Sequence, residues 1–357
     1  MAINRRDAKP RTGKVPARPH HAGAAGTSAA WSEKALQQEI FSLVARKQTD
    51  RATKVLIDAL PAIQASNVNG KEKLNNLLYL ARAIQQAGGS KHGYTKLGVK
   101  VRTLKNGIAD TPIPAGGFLE LGCGAHDPLA LAMYFYLNGL TPAFGVDLLS
   151  PRTPHFTAVS MYDILAHIKM FPGRYTWGDN RPSDIIAALR SVNVAAFESG
   201  DFAAGLEGLG GKVDLLSEDL LQCPVLPGSI ALLTSFAVLE HVSDIDAVMR
   251  RCFELTAPGG IGFHFVDLAD HRSYRGDGMY GPLSFLTEAV APPNMNRLRA
   301  PQITAAAREA GFEIVKDQRT AVEMPIGIRS ALVPPFDAMN PGDVAVTKHN
   351  LVLRKPA

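Results

Sequence analysis

The stretch FLELGCGA at residues 118–125 decides the fold of this 357-residue chain. Its apolar part, interrupted by a single carboxylate at Glu120, is typical of a short buried strand. The strand runs directly into Gly122 and Gly124, and two glycines at this spacing make a tight turn in which the backbone can approach a ligand closely. Many α/β proteins have two such glycines, so the flanking elements must show what the turn is for.

The segment after the turn has the start and stop signals of a helix over residues 127–138. Asp127 is in the N-cap position, Pro128 follows at the first helical position, and Gly139 lies just past the end. A second short apolar strand at 143–146 then ends at Asp147. Strand, turn, helix and strand in this order form the first unit of a parallel sheet with helices on its faces.

The same alternation continues to the end of the chain. Further strands are predicted at residues 213–216, 230–234, 261–266, 312–316 and 344–353, and helices at 244–255 and 301–310. These elements predict an α/β fold with a doubly wound, mostly parallel, seven-stranded sheet. Two insertions, at about 151–212 and 269–299, are longer than α/β connections usually are. Both leave from carboxyl ends of strands, so we expect them to shape the substrate site.

The N-terminal part divides into a tail and a helical region. Residues 1–30 contain prolines among small residues, and we expect a disordered basic tail. Residues 31–90 have apolar residues at helical spacing and predict a helical appendage to the domain at 91–357. Packing on the core, a homodimer surface formed by these helices and a lid are the three roles left open.

Charge is concentrated at the N-terminus. The chain has 38 basic and 33 acidic residues, and residues 1–30 contain six of the basic and one of the acidic ones. The remainder is balanced, which speaks against nucleic-acid binding by the core. No stretch has the roughly 20 uninterrupted apolar residues of a membrane span. Three cysteines without metal-ligand spacing favour a reducing compartment, so we expect the protein in the cytoplasm.

Two classes of ligand are excluded for the glycine turn, because the chain lacks the residues that bind them. A dinucleotide fingerprint needs a third glycine where this chain has Asp127, and a phosphate-binding loop needs Gly-Lys-Ser or Gly-Lys-Thr. The remaining common occupant is a nucleoside without phosphate. Its ribose would hydrogen-bond to Asp147, and a charged amino-acid moiety would lie against the turn and Glu120.

Over roughly residues 90–357 the chain resembles the class I methyltransferases that depend on S-adenosyl-L-methionine (SAM). The matching motifs, in order, are Glu120-x-Gly122-x-Gly124, Asp147, an acidic residue after the third strand (Asp219 first, Glu218 second), SFAVLEHVSD at 235–244 and PGG at 258–260. The resemblance implies a Rossmann-like methyltransferase fold and SAM as cofactor. It also implies that the acidic residues and glycines of these motifs bind that cofactor.

A narrower similarity covers residues 266–271, 282–286, 296–299 and 310–313. It resembles bacterial methyltransferases associated with polysaccharide or other secondary-product genes. The implied reaction is methyl transfer to a small-molecule acceptor, expected at a hydroxyl of a sugar or another metabolite. An N- or C-methyltransferase and a non-catalytic binding or regulatory subunit are the alternatives. Nucleic-acid amino-methyltransferases often carry an Asp/Asn-Pro-Pro-Tyr/Phe run, which SFAV at 235–238 does not match.

Transfer to a hydroxyl gains from a general base, and histidine is the usual candidate. His271 lies just past the fifth strand, with Asp267 and Asp270 nearby in sequence to raise its basicity, and it is the first candidate. His241, after the fourth strand, is the second. His264 lies between two phenylalanines inside a strand and is expected to be a packed residue.

Four polar residues of the second insertion, Tyr274, Asn296, Arg297 and Arg299, are candidates for contact with a polar or anionic acceptor. Anchoring of the loop is the alternative role for each of them. Asp267 and Asp270 are candidate oxygen ligands for a cation, but neighbouring aspartates are common on loops. No metal site is therefore predicted.

Overall fold

The computed structural model describes residues 33–46, 48–65, 80, 93–125, 127–149, 154–276, 278–293 and 295–357. The predicted tail at 1–30 lies outside the described residues, and so does the part of the predicted helical region after residue 65, except for Leu80. Helices α1 (Glu33–Ala45) and α2 (Thr49–Ala65) pack on each other through Ile40 and Leu56, in an apolar cluster separate from those of the sheet. This separation agrees with a helical region at 31–90, whose boundary stays a prediction.

Seven strands of the described chain form one sheet in the order β3-β2-β1-β4-β5-β7-β6. They are β1 (Gly117–Leu121), β2 (Ala143–Val146), β3 (Val213–Leu216), β4 (Ile230–Phe236), β5 (Thr256–Asp267), β6 (Glu313–Ala321) and β7 (Val346–Arg354). Strands β1 to β5 pair in parallel, whereas β7 is antiparallel to β5 and β6. The predicted doubly wound, mostly parallel sheet is confirmed.

Helices cover both faces of the sheet. They are α3 (Gly93–Ile108), α4 (Ala130–Leu137), α5 (Pro154–Met170), α6 (Pro182–Leu189), α7 (Val194–Glu198), α8 (Phe202–Glu207), α9 (Ile245–Leu255) and α10 (Ala300–Glu309). Two short helices, α11 (Ile326–Ala331) and α12 (Pro341–Val344), pack instead in a small separate apolar cluster. Phe118 of β1 packs with α3 to α8, and the next residue, Leu119, packs with α9 and α10. Successive side chains of a strand point to opposite faces, so β1 contributes to two apolar cores. No helix in the described part of the chain has the length and apolarity needed to cross a membrane.

Several element boundaries differ from the sequence-based expectation; β6, for example, is expected at 312–316 and extends to Ala321. Helix α4 begins at Ala130 with Leu129 as N-cap, so Asp127 does not cap it; the Asp127 carboxylate instead accepts a hydrogen bond from the Ser160 hydroxyl of α5. Strand β5 begins at Thr256, where the chain pairs with Ile230 before an irregularity in the register. The Pro-Gly-Gly run at 258–260 is therefore part of the strand rather than a turn before it.

The insertion between β2 and β3 is mostly helical. Helices α5 to α8 bury apolar side chains such as Ile164, Ile185 and Phe197 against α3 and α4. This insertion covers one face of the sheet. The second insertion contains the 3-10 turns His271–Arg275 and Ser284–Thr287, and its Phe285 packs with Phe336 in a small cluster of its own.

His264 is a packed residue of the sheet, as expected. It is fully buried in β5, and its Nδ1 lies 2.8 Å from the Ser235 hydroxyl of β4. Burial lowers the pKa of His264 to about 3, and His349 of β7 acts in the same direction. His349 is also buried; it lies 2.9 Å from an Asp317 carboxylate oxygen of β6, and burial lowers its pKa although Asp317 opposes this.

We expect acid to destabilise the fold through His264. An unfolded histidine has a pKa of about 6.5, whereas that of the folded His264 is about 3. Between these values the unfolded state binds more protons. The free energy of unfolding therefore falls as the pH falls below about 6.5, by up to about 1.4 kcal/mol per pH unit. The variant His264→Asn keeps an amide for Ser235 and removes the titration.

Urea unfolding of both proteins, from about pH 7 to about pH 4.5, measures the difference. The variant is expected to lose stability less steeply, while His349 titrates in both. Equal slopes in the two proteins would contradict the assignment to His264.

Candidate active site

The parallel strands bring polar residues from four strand ends to one edge of the sheet. Glu120 of β1 lies opposite Gly145 of β2 on one side and opposite Thr234 of β4 on the other. The carboxyl ends of β1, β2, β4 and β5 therefore face the same crevice, where open α/β sheets bind ligands. Two neighbouring sets of polar residues result, a β1–β2 group around Glu120 and Asp147 and a β4–β5 group around Glu240 and His271.

The glycine turn of the β1–β2 group is held by the second strand. The Gly122 amide donates to the Val146 carbonyl at 2.8 Å, and the Gly124 amide donates to Asp147 Oδ2 at 2.7 Å. Both glycines have positive φ, 70° and 82°, which other residues rarely adopt. A Cβ on Gly122 would collide with the side chain of Val238, whereas a Cβ on Gly124 would point into open space. Gly124 thus leaves room at the crevice.

Asp147 uses each carboxylate oxygen once. Oδ2 accepts from Gly124, and Oδ1 accepts from the Leu149 amide at 2.9 Å. An ionised carboxylate offers about four lone-pair sites, so about two remain for a ligand. The next two side chains, Leu148 and Leu149, are 73% and 56% exposed, so they present neighbouring apolar surface beside Asp147.

Glu120 is fully buried and pairs with a residue that the sequence did not single out. Lys100 of α3 donates to Glu120 Oε1, while Glu120 Oε2 has no hydrogen-bond partner among the described residues. Burial raises the pKa of Glu120, and the Lys100 ammonium opposes this shift. Lys100 also lies 5.4 Å from the centre of the Phe236 ring. Its position in an amphipathic helix before β1 was the available signal, but helices carry many lysines.

The acidic pair after β3 is exposed. Asp219 Oδ1 accepts from the Leu221 amide at 2.9 Å and thereby shapes a turn, and Glu218 precedes it. Since β3 pairs with β2, this turn lies on the side of Asp147 that is away from β1. The structure thus puts Asp219 and Glu218 at the far end of the β1–β2 group.

The β4–β5 group contains both predicted histidines. The His241 and His271 rings have centres 5.1 Å apart and are inclined by 70°. His271 Nε2 lies 3.8 Å from Asp267 Oδ2 and 4.0 Å from Glu240 Oε1. The Tyr274 hydroxyl donates to Asp267 at 2.7 Å, and its ring lies 5.7 Å from that of His271. Burial raises the pKa of Glu240 to about 8, and the Asp267 carboxylate acts in the same direction. Glu240 is the residue of this group that sequence reasoning missed.

Contrary to the expectation from sequence, Asp270 does not interact with His271. Its carboxylate is buried, accepts 2.7 and 3.0 Å hydrogen bonds from the Arg272 guanidinium and caps the Arg272 amide. Arg272 in turn pairs with Glu288 at 2.6 Å. Asp270 therefore holds the 3-10 turn to the rest of the insertion, and Asp267 alone of the two aspartates faces His271.

Other predicted acceptor contacts are engaged with the backbone. The Asn296 amide nitrogen donates to the Leu239 and Val242 carbonyls at 2.7 and 2.9 Å. Arg297 Nη1 donates to the Phe285 and Glu288 carbonyls. Arg299 is fully buried and donates to the Leu268 and Val344 carbonyls at 3.0 Å, which agrees with its alternative role as an anchor of the loop. Substrate contact by Asn296 and Arg297 stays a prediction.

Comparison with known proteins places these observations in a family. The family described as "Methyltransferase domain" matches residues 98–317. A curated relative from Mycolicibacterium smegmatis, named a probable S-adenosylmethionine-dependent methyltransferase, is 27% identical over 103 residues. That match covers 29% of this chain and 36% of the relative's length.

Solved methyltransferase structures are similar at low identity. Phosphoethanolamine N-methyltransferase 2 of Haemonchus contortus, in complex with SAM, is 15% identical, with 81% of this chain and 60% of that chain covered and a TM-score of 0.38. A SAM-dependent methyltransferase of Methanosarcina mazei is 13% identical, with 69% and 95% covered and a TM-score of 0.35. The family match spans more than half of the residues of this chain. The chain therefore belongs to the class I SAM-dependent methyltransferase family, and its cofactor is S-adenosyl-L-methionine.

Proposed function

We propose that this chain transfers a methyl group from SAM to a hydroxyl of a small-molecule acceptor, such as a sugar or another metabolite. When bound, SAM supplies an electrophilic methyl group on its sulfonium. The observation that carries the proposal is the β4–β5 group, in which His241, His271, Asp267 and Glu240 lie beside the β1–β2 group. The inner strands of the two groups, β1 and β4, are neighbours in the sheet at a spacing of about 4.8 Å, so a cofactor bound along β1 would extend to the edge of the β4–β5 group.

The β1–β2 group fits the charged end of SAM. Glu120 Oε2 is buried and lacks a hydrogen-bond partner, and a ligand ammonium would satisfy it. Lys100 donates to Glu120 with one of three N–H groups and can donate another to the ligand carboxylate. The amino-acid end of SAM would thus lie between one anion and one cation, beside Gly122 and Gly124.

The nucleoside end of SAM would extend along β2 toward β3. The lone-pair sites left on Asp147 suit two ribose hydroxyls. Asp219, with Glu218 second, would lie beside the adenine, and the exposed Leu148 and Leu149 would be covered by its ring. Removing apolar surface from water on binding is favourable, which gives these leucines a reason to be exposed in the free protein.

The acceptor end is assigned to the β4–β5 group. His271, and second His241, would act on the acceptor hydroxyl, and Tyr274 would contact the acceptor beside them. Asn296 holds the loop that carries His241. Arg297 donates to the backbone through Nη1, so its other nitrogens suit a polar acceptor. The insertion at 269–299 would form the wall of the acceptor site.

Two alternatives predict different behaviour. An N- or C-acceptor needs no strong base, so loss of His271 would cost little activity. A non-catalytic binding subunit would bind the cofactor and methylate nothing. The proposed acceptor is a small molecule rather than a nucleic acid, because the chain outside its tail has balanced charge. A homodimer through the N-terminal helices remains a proposal that size measurements would test.

Lys100→Met is expected to weaken binding of S-adenosylhomocysteine about 10- to 100-fold, because a charged hydrogen bond to the ligand carboxylate is lost. Binding of methylthioadenosine, which lacks the amino-acid end, should change little. Calorimetric titration with both ligands gives the comparison. The matched control is Lys212→Met, the same change at an exposed lysine before β3. Equal losses for the two ligands would show that Lys100 acts only on the fold.

His271→Ala is expected to lower methyl transfer to a hydroxyl acceptor about 10²- to 10⁴-fold, while leaving S-adenosylhomocysteine affinity unchanged. The acceptor is found first, by screening sugars and hydroxylated metabolites with SAM labelled in its methyl group. A small loss in the variant would favour an N- or C-acceptor. Cofactor binding without methylation of any acceptor would favour the binding subunit.

A further inference from the structure

We propose that Glu240, His241 and His271 bind a divalent metal ion of the first transition row, such as Zn²⁺ or Mn²⁺, beside the methyl acceptor. The inference rests on the proposed function for the ion's role in catalysis, but the site itself is argued from the β4–β5 group alone. It departs from the expectation from sequence, which considers Asp267 and Asp270 as oxygen ligands, does not include Glu240 and assigns no metal.

The ligand atoms are close enough for one ion. One carboxylate oxygen of Glu240 and one ring nitrogen from each of His241 and His271 lie within 4.8 Å of one another. Two ligands of a metal at about 2.1 Å are at most about 4.2 Å apart. The Glu240 to His271 distance of 4.0 Å already meets this limit, and a rotation of the exposed His241 side chain would bring its ring nitrogen within the same limit.

The second observation is a buried carboxyl group with one oxygen that lacks a partner. The Glu240 side chain is 1% exposed, and its Oε2 has no hydrogen-bond partner among the described residues; neither does His271 Nε2. A buried carboxylate oxygen without a partner is costly, and such groups in native proteins commonly mark a missing ion or water. Arg272, a nearby cation, is committed to Asp270 and Glu288. A divalent ion bound by the Glu240 carboxylate and by His271 Nε2 would give each of these two side chains the partner that it lacks.

The surrounding structure holds the ligands in place. The Asn296 amide donates to the Glu240 carbonyl, and the Asn296 side chain donates to the carbonyls on either side of the Glu240–His241 pair. The Asp267 amide donates to Glu240 Oε1 at 3.3 Å. Asp267 Oδ2, at 3.8 Å from His271 Nε2, is near enough to be a fourth ligand. Ligands held by such outer contacts are typical of metal sites.

The donor set selects the class of ion. Two imidazoles with one or two carboxylates suit Zn²⁺, Mn²⁺ or Fe²⁺ better than Mg²⁺ or Ca²⁺, which prefer oxygen ligands alone. Three or four protein ligands leave a position for an acceptor oxygen. The ion would lower the pKa of the bound hydroxyl, as metals do for bound water. The hydroxyl proton then passes to water, the new O–C bond forms, and the S–C bond breaks with its electron pair going to sulfur.

The role of His271 follows from this assignment. An imidazole nitrogen bound to a metal cannot also accept the acceptor's proton. His271 and His241 would therefore act on the hydroxyl through the ion rather than as general bases. A chelator would then stop methyl transfer, whereas it would not stop a reaction in which a histidine acts as general base.

The experiment is a titration of the full, untagged chain, stripped with a chelator, with Co²⁺ as a probe ion and visible absorption as the readout. Co²⁺ bands gain intensity in low-symmetry nitrogen and oxygen sites. We expect one ion per chain, displaced by Zn²⁺. His271→Ala and Glu240→Gln should each weaken binding at least ~100-fold, since a direct ligand matters at least as much as an outer-shell partner. Glu309→Gln, the same change at an exposed position on α10, should leave it unchanged.

Two outcomes would overturn the metal site. One is no Co²⁺ binding by the parent chain, and the other is equal binding by the parent and both site variants, which would place the ion elsewhere. S-adenosylhomocysteine titrations of the same samples separate this failure from that of the proposed function. Cofactor binding without Co²⁺ binding rejects only the metal, whereas Co²⁺ binding without cofactor binding rejects the proposed function and keeps the site. The His271 side chain is partly exposed, so His271→Ala still tests the site if Glu240→Gln does not fold.

Discussion

Strand β1 is hydrogen-bonded in parallel to β2 on one side and to β4 on the other, and the site depends on this pairing. It turns the carboxyl ends of these three strands toward one crevice, so residues distant in sequence become neighbours. Glu120 at the end of β1 is central: it is buried, it needs the Lys100 ammonium, and it still has an oxygen to offer. Burying a carboxylate is costly unless it is paired, and the unpaired oxygen is the reason to place a ligand here.

Much of the fold follows from local patterns. Short apolar runs, the glycine turn and helix stop signals predict the strands within a few residues, because a strand buried on both faces must be apolar throughout. The errors arise where a side chain has a distant partner. Asp127 has every local property of a helix cap, yet Ser160 of a later helix binds it instead. Such competition is invisible to a window of neighbouring residues.

The residues of the site also fall into two sets: those whose positions follow from local sequence and those that meet only through tertiary packing. Gly122, Gly124 and Asp147 belong to one continuous strand–turn–helix–strand unit, so their mutual placement could be anticipated. The Lys100 pairing and the approach of Glu240 to His271 join elements far apart in the chain. Their meeting depends on helix packing and on an insertion held by an ion pair between Arg272 and Glu288. Sequence spacing alone therefore identified histidines as candidates, but not the carboxylate that makes them a cluster.

The most direct test of the account is a calorimetric titration of the full chain with S-adenosylhomocysteine, in parallel with Asp147→Ala. The account predicts saturable binding at one site per chain and a loss of about 1–3 kcal/mol in the variant, because ribose hydroxyls lose their acceptor. A folded parent chain that binds neither S-adenosylhomocysteine nor SAM would contradict it. Equal affinity of parent and variant would contradict the placement of the nucleoside along β2.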